Sequence, residues 1–240
     1  DGAVKGYRTG VRVSWNIDAD LLEAYVETEE VETNKQSRLR DVPNIIIPGE
    51  RIAIIGDDGS VTDGRIELNR QIISKNYDYV LGCGDHAYQN GTVDEVADNL
   101  MAYWSKLRDK GRFFAVPGNH DLDTSNGQPF FQALLQSPSR YFKVATAYVD
   151  FYMMNSGIKT NGTQIEPDNL DRPTIAQSRQ MRQLKAWLAE SRAARRMAIV
   201  IWHHPPYTSA SSYYPGVTSM QGIPLQSWGA DALICGHGHL

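Results

Sequence analysis

The sequence predicts an α/β fold with parallel or mixed sheet and crossover helices, and three observations lead there. From Arg51 onward, short apolar runs alternate with amphipathic helical stretches. Five of those runs pass directly into polar, often glycine-flanked segments. Four of these segments carry all six histidines of the chain, His86, His120, His203, His204, His237 and His239. Loops that leave the carboxyl ends of strands share one edge of an open α/β sheet, so residues distant in sequence converge there.

The elements follow in order. Residues 11 to 17 alternate Val11, Val13, Trp15 and Ile17 with polar neighbours, as a half-buried strand does. Asp20 to Glu32 holds six acidic and no basic residues and reads as a solvated face. Residues 1–49 are assigned to an N-terminal extension or the end of a preceding domain, and 50–240 to the main domain. Ile52 to Ile55 predicts a strand running into Asp57-Asp58-Gly59, and Tyr77 to Leu81 one running into Gly84-Asp85. Thr92 and Glu95 have capping-box spacing for a helix whose stripe is Val93, Val96, Leu100, Trp104 and Leu107, closed by Gly111. Phe113 to Val116 leads into Gly118-Asn119-His120-Asp121, and a hairpin is expected over Tyr141 to Asn155. A second helix, Thr174 to Arg192, buries Met181, Leu184, Trp187 and Leu188; Arg192, Arg195 and Arg196 suit its negative end. Ala198 to Ile201 and Ala232 to Ile234 are the last strands, each ending in histidines.

Composition narrows the function classes. With 240 residues, 41% hydrophobic, the chain has apolar side chains enough for one sizeable core. A net charge of −4 leaves no basic surface on which a nucleic-acid backbone would dominate binding. Cys83 and Cys235 are too few for a disulfide framework and lie outside any CxxC, which excludes zinc ribbons and thioredoxin-like chemistry. Each lies two residues before a candidate ligand, so they are expected as neighbouring buried thiols. No 18-residue apolar run is present to span a membrane. With Asp1 in place of Met, a removed leader or a fragment is the expectation.

The strand-end segments hold three carboxylates (Asp57, Asp58, Asp85), a carboxamide (Asn119), a phenol (Tyr88) and the histidines. These donors bind divalent and trivalent metals near neutral pH. One ion cannot use them all, and a carboxylate shared between two ions is the simplest way to hold a pair. Two carboxylates and a phenolate suit a hard ion such as Fe(III); two imidazoles and an amide oxygen suit Zn(II), Fe(II) or Mn(II).

Five ordered blocks, Asp57-Asp58-Gly59, Gly84-Asp85-His86-Ala87-Tyr88, Gly118-Asn119-His120-Asp121, Val200-Ile201-Trp202-His203 and Gly236-His237-Gly238-His239, match DxG, GDxxY, GNH(D/E), VxxH and GHxH. Over about residues 50 to 240 the chain thus resembles the calcineurin-like metallophosphoesterases, and within them the purple acid phosphatase (tartrate-resistant acid phosphatase-like) branch. The resemblance implies a four-layer α/β/β/α sandwich with mixed sheets. Relatives continue past GHxH into strands that complete it, so the fold is expected to be C-terminally incomplete, with the site at His239 weakly held beside Leu240. It also implies that Asp57, Asp85, Tyr88 and His239 hold Fe(III), and that Asp85, Asn119, His203 and His237 hold Zn(II), Fe(II) or Mn(II), with Asp85 bridging.

The implied reaction is phosphomonoester hydrolysis on a small phosphorylated substrate, with metal-bound hydroxide attacking phosphorus in line. The alternatives are a phosphodiesterase or nucleotide pyrophosphatase on the same site, or a metal-stabilised non-catalytic binding module of a larger protein. His120 is the candidate acid for the leaving alkoxide, or else holds Asn119 in place. Asp121 either orients His120 or caps the next turn. His86 and His204 are assigned to supporting or structural roles, His204 with the option of competing as a ligand, and Asp58 is expected to face solvent or a backbone amide. Plant-like members carry substrate histidines in the loop that here reads Ser211-Ser212-Tyr213-Tyr214-Pro215, so Tyr213 and Tyr214 either line the pocket or pack the loop. By resemblance alone, an extracytoplasmic or secreted location is favoured.

Overall fold

The computed structural model describes residues 44–46, 51–134, 141–162, 178–208 and 218–239, with backbone only at 44–46 and 218–219. The expected strand at 11–17, the acidic run at 20–32, the first residues of the 174–192 helix, Tyr213, Tyr214 and Leu240 lie outside them.

Two sheets form the framework. The first is all parallel, in the order β2-β3-β4, from β2 (Ile52–Ile55), β3 (Tyr79–Cys83) and β4 (Phe113–Val116). Its central strand β3 buries Val80, Leu81 and Cys83, the near-continuous apolar run of a strand covered on both faces. The second sheet has the order β1-β5-β6-β7-β8, from β1 (Asn44–Ile46), β5 (Phe142–Ala145), β6 (Val149–Met153), β7 (Met197–Ile201) and β8 (Ala232–Ile234). It is mixed, because β5 and β6 form the expected antiparallel hairpin while its other pairs run parallel. The chain is therefore α/β with one parallel and one mixed sheet. Strand β1 lies in the stretch that the sequence gives to the N-terminal extension, yet it pairs with β5.

Helices join the strands. Between β2 and β3 runs α1 (Asp63–Ser74); Thr62 caps it by accepting from the Arg65 amide at 3.2 Å. It buries Arg65, Asn69 and Ile72, a stripe at helical spacing. The expected helix after Thr92 begins with its capping box, Glu95 accepting from the Thr92 amide at 2.9 Å. It runs as α2 (Val93–Glu95), a π-helical segment (Val96–Met101) and α3 (Ala102–Arg108). The buried stripe Val96, Leu100 and Trp104 survives the change of helix type, whereas the expected first member, Val93, is exposed. After β4 come α4 (Asn119–Asp123), a short 3-10 segment (Thr124–Gly127) and α5 (Gln128–Leu134).

The first sheet's core joins Ile55, Val80 and Ala115 to Leu100, Trp104 and Phe130. Trp104 stacks on Phe113 at 5.2 Å between centroids. Each large apolar side chain fully buried here contributes about 1.5–3 kcal/mol. Against the second sheet packs α6 (Arg179–Ala193), capped by Ser178 and burying the predicted Met181, Leu184, Trp187 and Leu188. Arg196, just beyond it, pairs with the buried Asp150 at 2.8 Å. Two short helices, α7 (Thr218–Gln221) and α8 (Leu225–Trp228), precede β8. Among the described residues no helix is long and apolar enough to cross a membrane.

Candidate metal centre

The five strand-end segments meet. The Asp57 amide donates to the Gly84 carbonyl at 2.9 Å, and the Tyr88 amide to the Gly59 carbonyl at 3.1 Å, which ties the loop after β2 to the loop after β3. Asp57 also accepts from the His237 amide at 2.9 Å, bringing in the loop after β8. A Cβ on Gly118 would strike the Asp85 carboxylate, and one on Gly236 would sit 2.6 Å from Asp57 Oδ2. Glycine at both places is what allows the chains to approach so closely. Asp57 (φ 56°), Asp85 (φ 56°) and His237 (φ 69°) adopt left-handed backbone, which non-glycine residues seldom do. Such conformations collect at functional sites, where the surrounding structure holds them.

Asp85 and His203 lie at the middle of the cluster, both buried, with His203 Nε2 3.3 Å from Asp85 Oδ2. Asn119 Oδ1 lies 3.1 Å from the same nitrogen. His203 Nδ1 donates to the Cys83 carbonyl at 2.9 Å, which aims Nε2 at the cluster. The rings of His203 and His237 are 5.1 Å apart. On the other side His239 Nε2 lies 3.1 Å from Asp57 Oδ1 and 3.1 Å from the Tyr88 hydroxyl. Ligand atoms of Asp57, Asp85 and His203 lie within 4.8 Å of one another, and so do those of His203, His204 and His237. The seven expected donors are thus brought together, and carboxylate, phenol, carboxamide and imidazole in one cluster fit a pair of metal ions.

The buried charges of the cluster act on one another. Burial opposes ionisation of Asp85, yet the neighbouring His203 and His120 outweigh it and hold the carboxyl below its usual range. Burial likewise opposes the charge on His203, but Asp85 outweighs it and the imidazole is raised to about 9. Burial and His203 together push His237 down to about 4. Burial, with Asp85 and Asp57 nearby, raises the Tyr88 phenol, so only a strongly charged partner would turn it into a phenolate. Cys83 and Cys235 are free thiols, and burial raises both to about 12.

The surrounding residues are distributed in ways the sequence leaves open. The His120 amide donates to Asp85 Oδ1 at 3.0 Å, and its Nδ1 donates to the Gln89 carbonyl at 2.5 Å, leaving Nε2 3.9 Å from Asp85 Oδ2. Asp121 is fully buried and accepts from the amides of Gly118 at 2.8 Å, Ala87 at 2.9 Å and His86 at 3.0 Å. Its carboxylate therefore binds the loops after β3 and β4 together, and the Gln89 carbonyl holds His120 in its stead. Burial raises the Asp121 carboxyl to about 6.

Asp58 departs from expectation, because it is buried rather than facing solvent. It pairs with Arg65 at 3.1 Å, bonds His86 Nδ1, and accepts from Trp104 Nε1 at 3.3 Å. A buried carboxylate needs such partners, and α1 delivers the arginine. His86 is thereby fixed behind the cluster, its ring stacked at 6.3 Å on Phe130. His204 is different. It is buried, its Nδ1 lies 2.7 Å from Ser156 Oγ, and its ring is 4.5 Å from that of His237. Neither Ser156 nor Gln89 is legible as a site residue: Gln89 acts through its backbone carbonyl, and Ser156 through a hydroxyl that no motif marks.

The model of the calcineurin-like phosphoesterase family matches residues 50–240, and the chain belongs to this family. Metal-dependent phosphoester hydrolysis is accordingly its general chemistry, and the family implies two metal ions. A dimetal phosphatase from Danio rerio superposes with a TM-score of 0.54 at 15% identity, covering 80% of this chain and 82% of that one. At that identity the likeness is one of fold. A putative 5'-nucleotidase from Staphylococcus aureus gives a TM-score of 0.45 at 14% identity, covering 79% of this chain and 46% of that one. The present chain thus spans about half of that protein's length. No curated protein matches significantly.

Proposed function

We propose that this chain hydrolyses phosphomonoesters at a dinuclear centre of the purple acid phosphatase type. Asp57, Asp85, Tyr88 and His239 would hold Fe(III); Asp85, Asn119, His203 and His237 would hold Zn(II), Fe(II) or Mn(II). The observation that carries the reading is the Tyr88 hydroxyl, 3.1 Å from His239 Nε2 beside Asp57 and Asp85. A phenol among carboxylates is the donor that separates this branch from its relatives, because phenolate suits a ferric ion.

Two bound ions would polarise the phosphoryl oxygens, acidify a water for in-line attack and offset charge as it develops. The chain's own groups do the rest. Asp85 and the Cys83 carbonyl hold His203 in one orientation. The Nδ1–H of His120 donates to the Gln89 carbonyl, so Nε2 is the nitrogen left to face substrate, and the ring would need to be doubly protonated to pass a proton from there to the leaving alkoxide. His120 is partly exposed, as a group that meets substrate must be. Asp121 is a positioning residue, keeping the Asp85 and Asn119 loops in register.

A panel of aryl mono- and diesters tests the reading with the wild-type chain and the Asn119→Ala and His203→Ala variants. Monoester turnover that is lost in both variants is expected. Unchanged turnover in either variant, or turnover confined to diesters, would contradict it.

A further inference from the structure

His204 stands outside the ligand set assigned above, yet the fold treats it as part of the cluster. It is 3% exposed, its ring lies 4.9 Å from that of His203 and 4.5 Å from that of His237, and one donor nitrogen of each lies within 4.8 Å of the others. Consecutive residues of a strand point to opposite faces, so His203 and His204 could not both turn inward if β7 continued. The strand ends at Ile201 and the chain bends at both histidines, which brings the two rings to one side.

The hydrogen bonding repeats a pattern. His203 is fixed through Nδ1 by the Cys83 carbonyl oxygen, and His204 through Nδ1 by the Ser156 hydroxyl at 2.7 Å. An imidazole whose Nδ1–H is donated to an oxygen presents Nε2 as a lone pair, the arrangement in which protein histidines bind metals; the Cys83 carbonyl, which can only accept, imposes it on His203, and the Ser156 hydroxyl accommodates it on His204. Ser156 is itself buried just beyond β6, so this partner is built into the fold and does not come from solvent.

We propose that His204 is a third imidazole ligand of the second metal ion, beside His203 and His237, and that it biases this position toward a nitrogen-seeking ion such as Zn(II) over Mn(II). The inference rests on the reading that the second site holds a metal.

The test uses the full chain stripped with a chelator. It is titrated with Co(II), read by its d–d absorption, and with Zn(II) and Mn(II) by competition, for the wild type and H204Q. The glutamine keeps a neutral polar contact for Ser156 and removes the ring nitrogen. The variant is expected to bind one Zn(II) at least about tenfold more weakly, with a smaller Zn(II)-over-Mn(II) preference and displaced cobalt bands. A residue that only orients a ligand would weaken binding too, but would leave the bands in place. A zinc-loaded wild-type crystal gives a second reading that does not depend on the variant folding. A His204 nitrogen at about 2.1 Å from the ion supports the proposal, and one beyond about 3 Å overturns it. Unchanged cobalt bands in folded H204Q also overturn it while leaving the dinuclear reading intact. A wild-type chain that takes up no metal overturns both.

Discussion

His203 Nε2 lies 3.3 Å from Asp85 Oδ2, both side chains buried, and this contact joins the end of β3 in the parallel sheet to the end of β7 in the mixed one. Two strand-end loops from different sheets therefore share one charge pair. Asp85 also accepts from the His120 amide, so the loop after β4 depends on the same carboxylate. Asp85→Asn keeps the size and loses the charge. Metal uptake is expected to fall and phosphomonoester turnover to drop by about a thousandfold or more, since the ions contribute several kcal/mol to the transition state. Metal content measured alongside the kinetics checks that the two losses go together.

Metal binding should depend on pH through His203. Its imidazole is raised to about 9 by Asp85 against the effect of burial, so at neutral pH the metal-free chain holds a proton where a ligand lone pair is required. A metal must displace that proton. Affinity for Zn(II) is expected to rise with pH, about tenfold per unit below pH 9 if this proton dominates, and to flatten above it. Calorimetry in buffers of different ionisation enthalpy would register the released proton; affinity flat from pH 6 to 9 would contradict the assignment.

His120 offers a separate handle on catalysis. Its Nδ1–H donates to the Gln89 carbonyl, leaving Nε2 as the nitrogen that would serve a leaving group in the proposed reaction. His120→Ala is expected to lower kcat on alkyl phosphates by about 100- to 10,000-fold, with bound metal unchanged. The loss should shrink on p-nitrophenyl phosphate, whose leaving group needs little protonation. Equal losses on both substrates would reduce His120 to a structural role.

Far from the cluster, Asp150 binds the second sheet to α6. It pairs with Arg196 at 2.8 Å and Lys143 at 3.1 Å, and Ser191 donates to it. Burial opposes its charge, but these partners outweigh it and hold its carboxyl below the usual value of 3.8. A carboxyl lowered on folding adds stability above its unfolded pKa, and loses it as pH falls through the folded value. Asp150→Asn should destabilise the chain by about 1–3 kcal/mol near neutrality, because it removes the charge that the partly exposed Arg196 and Lys143 pair with. It should also flatten the decline of stability below about pH 4. Denaturant titrations at several pH values test both effects.

The site's backbone was legible because its glycines, carboxylates and histidines stand at strand ends, where spacing alone brings them together. The capping box at Thr92 and the stripe Met181, Leu184, Trp187 and Leu188 were equally plain, since local pattern determines them. Side-chain direction within loops was not. Asp58 and Asp57 are neighbours, yet Asp57 turns its left-handed backbone toward His237 while Asp58 faces inward to Arg65 and Trp104. Asp121 and Gln89 divide between them a task that sequence offers to Asp121 alone. Such choices are made by packing between distant segments, which no local pattern encodes.

The proposed dinuclear centre has a ferric first ion bound by Tyr88. Metal analysis of the purified chain, with its visible spectrum and that of Tyr88→Phe, tests this most directly. Two ions per chain, one of them iron, with a visible absorption band that Tyr88→Phe abolishes, is the predicted result. Two bound ions with no such band, or a band that survives the substitution, would contradict it.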